Sequence, residues 1–127
     1  MDGFLEVADA ASIDDGTMTS VTIAGHELLV AHAGGHFYVA DNRCPHMGGH
    51  LASGRLEGTV VTCPVHHSVF DLTDGSVVRW TDLHGAVLTV AELIRHPRPL
   101  RVYEVEVRDG KVMAGPEKPP AHAQEAR

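Results

Sequence analysis

Two short segments carry the side chains best suited to chemistry. Cys44-Pro45-His46 is followed, after sixteen residues, by Cys63-Pro64-Val65-His66. Each segment offers one thiolate and one imidazole, and the chain's two cysteines both fall in this pattern. Two Cys and two His suit either a tetrahedral Zn²⁺ or a 2Fe–2S cluster with Cys on one iron and His on the other. Proline after each cysteine fixes φ and removes a backbone N–H, which stiffens the loop. Gly48-Gly49 lets the backbone pass close to a bound group with no Cβ in the way. A stiff loop favours electron transfer, because little must reorganise when the charge changes.

The elements that must hold these segments read as short strands joined by glycine turns. Phe4 to Ala8 is a first strand, and Ser12 to Gly16 carries turn chemistry ending in Asp-Gly. Thr19–Ile23, Glu27–Ala31 and His36–Ala40, separated by Ala24-Gly25-His26 and Gly34-Gly35, form an antiparallel meander. Thr59–Thr62 runs into the second segment. Ser68–Leu72 leaves it, Thr73-Asp74-Gly75 turns the chain, and Ser76–Trp80 follows as a further strand. Leu100–Arg108 alternates, Asp109-Gly110 turns it, and Lys111–Ala114 is a last strand. The ligand segments therefore sit in loops between strands. A hairpin followed by a helix with histidines at i and i+4, the zinc-finger arrangement, is missing. Only Val90–Arg95 gathers good helix formers, and Pro97 would end that helix.

Composition bounds the reading. The chain's 127 residues make one domain's worth of core. Apolar residues at 43% and charged residues at 21% are ordinary for a folded domain. Thirteen Gly and seven Pro fit an all-β fold rich in tight turns. A formal net charge of −7 argues against nucleic acid, whose phosphates call for a basic patch. It suits steering toward a basic face on another protein. The start lacks a basic n-region and an apolar h-region, and no apolar run reaches the ~18–20 residues a membrane span needs. With two cysteines and no export signal, a disulfide is the weaker use of the thiols. A cytoplasmic protein without nucleic-acid or membrane partners is expected.

With its flanks included, the stretch resembles the Rieske iron–sulfur family. The family pattern, C-x-H and then C-x-x-H, reads here as C-P-H-x16-C-P-V-H. Gly48 and Leu51 follow the first arm, Gly54 precedes the next strand, and Phe70-Asp71 with Asp74-Gly75 lie beyond the second. The resemblance runs from about Phe4 to Met113. It implies an all-β Rieske fold, an antiparallel β-sandwich or barrel carrying a small cluster-binding subdomain, over residues 1–115. The cluster loops would be 41–51 and 63–70, a short helix would fall in an insertion at 81–96, and 116–127 would be a disordered tail.

The same resemblance implies that Cys44 and Cys63 bind the inner iron of a Rieske 2Fe–2S cluster, and His46 and His66 the outer one. Met47, Gly48, Pro64, Ser68 and Phe70 would line it. Within the family the chain looks like the small ferredoxins. Those carry single electrons from a flavoprotein reductase to the terminal oxygenase of a ring-hydroxylating dioxygenase system. Respiratory-chain members carry an extra cysteine in each arm, joined as a disulfide, whereas the equivalent positions here are Gly49 and Val65. High-potential members donate a serine and a tyrosine hydroxyl toward the sulfurs. Ser68 stands at the serine position and Phe70 replaces the tyrosine, so a low to intermediate potential is expected. Alternatives are the small subunit of an assimilatory NAD(P)H nitrite reductase, which shares the fold, and a structural Zn²⁺ module.

Two departures from the family stand out. His67 replaces a glycine after the second ligand histidine, and it reads as a solvent-facing loop residue that tolerates φ > 0 better than most. Residues 81–96 are longer than the family needs before a proline-containing loop, occupied here by Pro97 and Pro99, and read as a surface excursion. His26, His32 and His36 are expected to be solvated, and Trp80 a packing residue. His50, His84 and His96 would at most line the rim of the cluster and are assigned no role in it.

Overall fold

The computed structural model describes residues 3–44, 49–65, 67–79 and 99–119. Among these residues ten strands make up two antiparallel sheets: β1 Leu5–Asp9, β2 Thr17–Ile23, β3 His26–Ala33, β4 His36–Asp41, β5 Arg55–Glu57, β6 Val60–Thr62, β7 Val69–Asp71, β8 Val77–Arg79, β9 Val102–Arg108 and β10 Lys111–Glu117. The larger sheet has the order β1-β10-β9-β4-β3-β2 and curls into a nearly closed barrel. The smaller has the order β5-β6-β7-β8 and carries the second ligand segment between β6 and β7.

The expected meander is present as β2-β3-β4, with Ile23 opposite His26 and Ala33 opposite His36. Its turns at Ala24-Gly25 and Gly34-Gly35, like Asp109-Gly110 between β9 and β10, place both central residues at positive φ. This is the type I′ geometry, whose twist matches that of the flanking strands. Burial sets the register. Along β3, Leu28 and Val30 enter the barrel interior with Val7, Ile13, Val39, Val112 and Ala114. Leu29 and Ala31 point the other way, into a second core shared with the small sheet. A strand covered on both faces reads as a continuous apolar run rather than an alternating one.

Three features differ from the sequence expectation. Arg55–Glu57 is itself a strand, paired with Val60–Thr62. The last strand continues through Pro116 to Glu117, which lies opposite Tyr103, and Lys118 donates its backbone N–H to Val102 O. A tail beginning at 116 is therefore corrected at least as far as 118. Pro116, which has no N–H to give, falls where the β10–β9 register shifts. His32 is not a solvated turn residue. It stacks on Phe37 at 4.0 Å between ring centroids, and its Nδ1 lies 2.7 Å from Ile13 O. The helix expected at 90–95, the excursion at 81–96, Trp80, His84 and His96 lie outside the described residues.

Tyr103 on β9 ties three strands together. Its hydroxyl donates to Asp41 Oδ1 at 2.6 Å, and His26 Nε2 lies 3.1 Å from the same oxygen. Burial, then the bond to Asp41, pushes the phenol's pKa well above its ordinary 10.0. Because the folded value is raised, the protonated phenol's contribution to stability is complete below pH 10.0 and is lost as the pH climbs above it. Urea unfolding followed by circular dichroism should show the midpoint falling in that alkaline range. In Tyr103→Phe the fall should be shallower; equal slopes in both proteins would remove Tyr103 as the cause.

Candidate metal centre

Each ligand segment is a short loop closed by its own backbone. In the first arm Cys44 N–H donates to Gly49 O at 2.8 Å, and Arg43 bridges to His50 just outside that pair. In the second, Cys63 N–H donates to Ser68 O at 2.8 Å, and His67 N–H returns to Cys63 O at 3.1 Å. Both arms thus begin at a cysteine and close on the carbonyl five residues later. His67 takes φ = 62° and is exposed, as expected for the residue standing in place of glycine.

Cys44 and Cys63 are 2% and 1% exposed, neither is in a disulfide, and both belong to the core beneath the arms with Leu51, Val61, Phe70, Leu72 and Leu100. The two arms meet closely. A Cβ placed on Gly49 would lie 2.8 Å from Cys63 Sγ and 2.6 Å from Val65 Cγ2, both shorter than van der Waals contact. Gly54 locks the far side of the first arm: a Cβ there would fall 1.9 Å from Thr62 O, one residue before Cys63. The structure therefore brings together Cys44, Cys63, Gly49, Pro64, Val65, Ser68 and Phe70. His46, Met47, Gly48 and His66 lie outside the described residues.

Ser68 is fully buried and Phe70 packs in the same core as both cysteines. Pro64 and Val65 are exposed at the tip of the second arm. Among the described residues, two buried thiols at the roots of adjoining closed loops, with Gly49 packed against Cys63, form a donor set and a cradle that fit an iron–sulfur group. A phenylalanine at position 70 adds no hydroxyl donor to that set.

The base of the first arm is organised by residues that the sequence did not single out. Asn42, 1% exposed, accepts Ala52 N–H on its Oδ1 at 2.8 Å and takes Leu51 N–H on its backbone carbonyl at 2.8 Å. Its Nδ2 donates to Glu27 Oε2 at 2.6 Å. His50 Nδ1 is 2.8 Å from the same oxygen, and Arg43 Nε is 3.3 Å from Glu27 Oε1. The donors from Asn42 and then His50 hold the Glu27 carboxyl below the usual carboxylate range. The available signal was a glutamate opening an otherwise apolar strand, with Asp-Asn just ahead of the first cysteine.

Comparison with known proteins gives the family. The family described as Rieske [2Fe-2S] domain matches residues 3–104. Ferredoxin CarAc of Metapseudomonas resinovorans is 32% identical over 116 residues, 91% of this chain and 95% of that protein. The ferredoxin component of the naphthalene 1,2-dioxygenase system of Pseudomonas putida is 32% identical over 75 residues, 59% of this chain and 72% of that one. Among solved structures, a complex of reduced oxygenase and oxidized ferredoxin in carbazole 1,9a-dioxygenase superposes with TM-score 0.73 at 29% identity, covering 95% of this chain and all of the matched one. The ferredoxin of carbazole 1,9a-dioxygenase from Nocardioides aromaticivorans IC177 shares the fold, with TM-score 0.72 over 89% of this chain and 97% of that one, at 23% identity. The chain belongs to the Rieske [2Fe-2S] domain family, as an electron-transfer ferredoxin of the dioxygenase-system type with a Rieske cluster as its cofactor.

Proposed function

We propose that Cys44, Cys63, His46 and His66 hold the cluster, and that the protein carries single electrons in the cytoplasm from a flavoprotein reductase to a terminal oxygenase. The observation that carries this reading is the joining of the two cysteine arms, with Gly49 leaving no Cβ between the first arm and Cys63 Sγ. A Rieske cluster, when bound, supplies a one-electron couple within a range of roughly −150 to +300 mV. The chain's own residues do the rest. The cysteine thiolates would anchor the group on the buried core, and His46 and His66 would supply two neutral imidazole ligands. The closed loops keep donor positions fixed as charge changes, and the apolar floor of Leu51, Phe70 and Leu72 keeps water from the sulfur side. Partner choice is supported by the carbazole dioxygenase complex, in which a similar ferredoxin sits with its oxygenase, and by the net charge of −7, which suits a basic docking face. No helix among the described residues is long and apolar enough to cross a membrane.

Anaerobically prepared protein tests the reading directly. It should contain iron and acid-labile sulfide in equal amounts, be brown, and give a Rieske-type EPR signal on reduction. Colourless protein holding zinc alone would overturn it. Redox titration should place the potential in the low to intermediate part of the range. Ser68→Ala should lower it further, because hydrogen bonds toward the sulfurs raise the potential. No shift in the Ser68→Ala variant would end that role for the serine.

A further inference from the structure

Three donors from the two ends of the first arm converge on a single carboxylate. Asn42 and Arg43 precede Cys44 and His50 follows Gly49, and all three reach Glu27 on β3, at 2.6, 3.3 and 2.8 Å. The backbone repeats the tie, with Asn42 N–H donating to Glu27 O at 3.2 Å. Nothing else among the described residues holds both ends of this arm to the barrel through one side chain. The carboxylate is about a quarter exposed, at 27%, while Asn42 beneath it is buried. Removing it would leave the Asn42 amide without this acceptor and release the Arg43 and His50 side chains together, with backbone ties and the Asn42–Ala52 bond left at the stem.

Resting on the ligand assignment above, we propose that Glu27 is a positioning residue for the metal centre. It clamps the stem of the first arm, so that Cys44 and Gly49 are held in register with the second arm. Partners of this outer kind matter because they orient the ligands themselves, and their loss in metal sites typically costs 10–100-fold in affinity or activity. Glu106 offers a contrast on the same barrel. It pairs with Arg108 two residues away, both exposed, and bonds to neither arm among the described residues.

The test uses holoprotein loaded with iron and sulfide, challenged with an iron chelator, and followed by loss of visible absorbance. Glu27→Ala should release iron roughly tenfold to hundredfold faster than wild type and change the anisotropy of the EPR signal in the fraction that remains. Glu27→Gln, which keeps an acceptor oxygen for Asn42, should recover most of the lifetime and the wild-type EPR line shape. Glu106→Ala should match wild type. Where Glu27→Ala does not fold, His50→Ala removes only an exposed donor and should still speed release and alter the signal. Variants at 27 and 50 with wild-type release and line shape would overturn the clamp, as would an equal effect from Glu106→Ala. Wild-type protein that holds no iron and sulfide would overturn the ligand assignment itself, a separate and visible failure.

Discussion

Replacing Cys63 by serine is expected to abolish retention of iron and sulfide while leaving both sheets folded. The thiol is 1% exposed and lies where the first arm comes within contact of the second. A serine hydroxyl is harder and far less acidic than a thiol, and iron–sulfur clusters are held by thiolates. The loop itself survives the change, because it is closed by Cys63 N–H to Ser68 O, a backbone bond indifferent to the side chain. Iron and sulfide analysis should therefore fall to background while the far-ultraviolet circular dichroism is unchanged. Cys44→Ser should do the same from the other arm. Undiminished iron and sulfide in Cys63→Ser would remove this residue from the ligand set.

The second large effect is on stability. Gly75 sits at φ = 79°, and a Cβ there would lie 2.0 Å from Leu100 O. Its N–H donates to Asp71 O at 2.7 Å and its carbonyl receives Leu100 N–H at 2.8 Å. Leu100 is buried in the core that also contains Cys44 and Cys63. Gly75→Ala should cost roughly 3 kcal/mol, from about 1–2 for left-handed backbone and about 1–3 for disturbing a buried backbone hydrogen bond. At urea slopes of about 1–3 kcal/mol/M, that lowers the unfolding midpoint by roughly 1–3 M. Gly16 separates the two contributions, since it has φ = 88° but nothing within 4 Å of where an added methyl would sit. Gly16→Ala should show the backbone cost alone. Equal losses in both variants would mean that the contact with Leu100 contributes nothing.

Local chemistry was the part legible in the sequence. The glycine pairs at 34-35 and 109-110 announce their hairpins because positive φ is demanded at the turn itself. Cys44 and Cys63 announce themselves because thiols are scarce and their proline neighbours follow in the chain. Whatever depended on distant partners was hidden. Glu27 is fifteen residues from Asn42 and twenty-three from His50, and no periodicity links them. His32 looked like a turn residue until Phe37 across the hairpin offered its ring face. The double burial of Leu28 to Ala31 came from the second sheet packing outside the barrel, which a single strand's pattern does not reveal. The stretch from Pro116 read as a tail because it has little to bury, yet the irregular register beside Pro116 accommodates the missing donor and carries the ladder on.

The pairing of β1 with β10, Leu5 opposite Ala114, bears on how the protein is made. Both ligand arms leave the ribosome well before the segment that closes the barrel, and β4 has no second neighbour until β9 arrives. Ladders between such remote segments form slowly, since the chain entropy is spent before any bond repays it. A nascent chain thus exposes two bare thiols over an unfinished floor. Delivery of iron and sulfide belongs after β1 and β10 have zipped together.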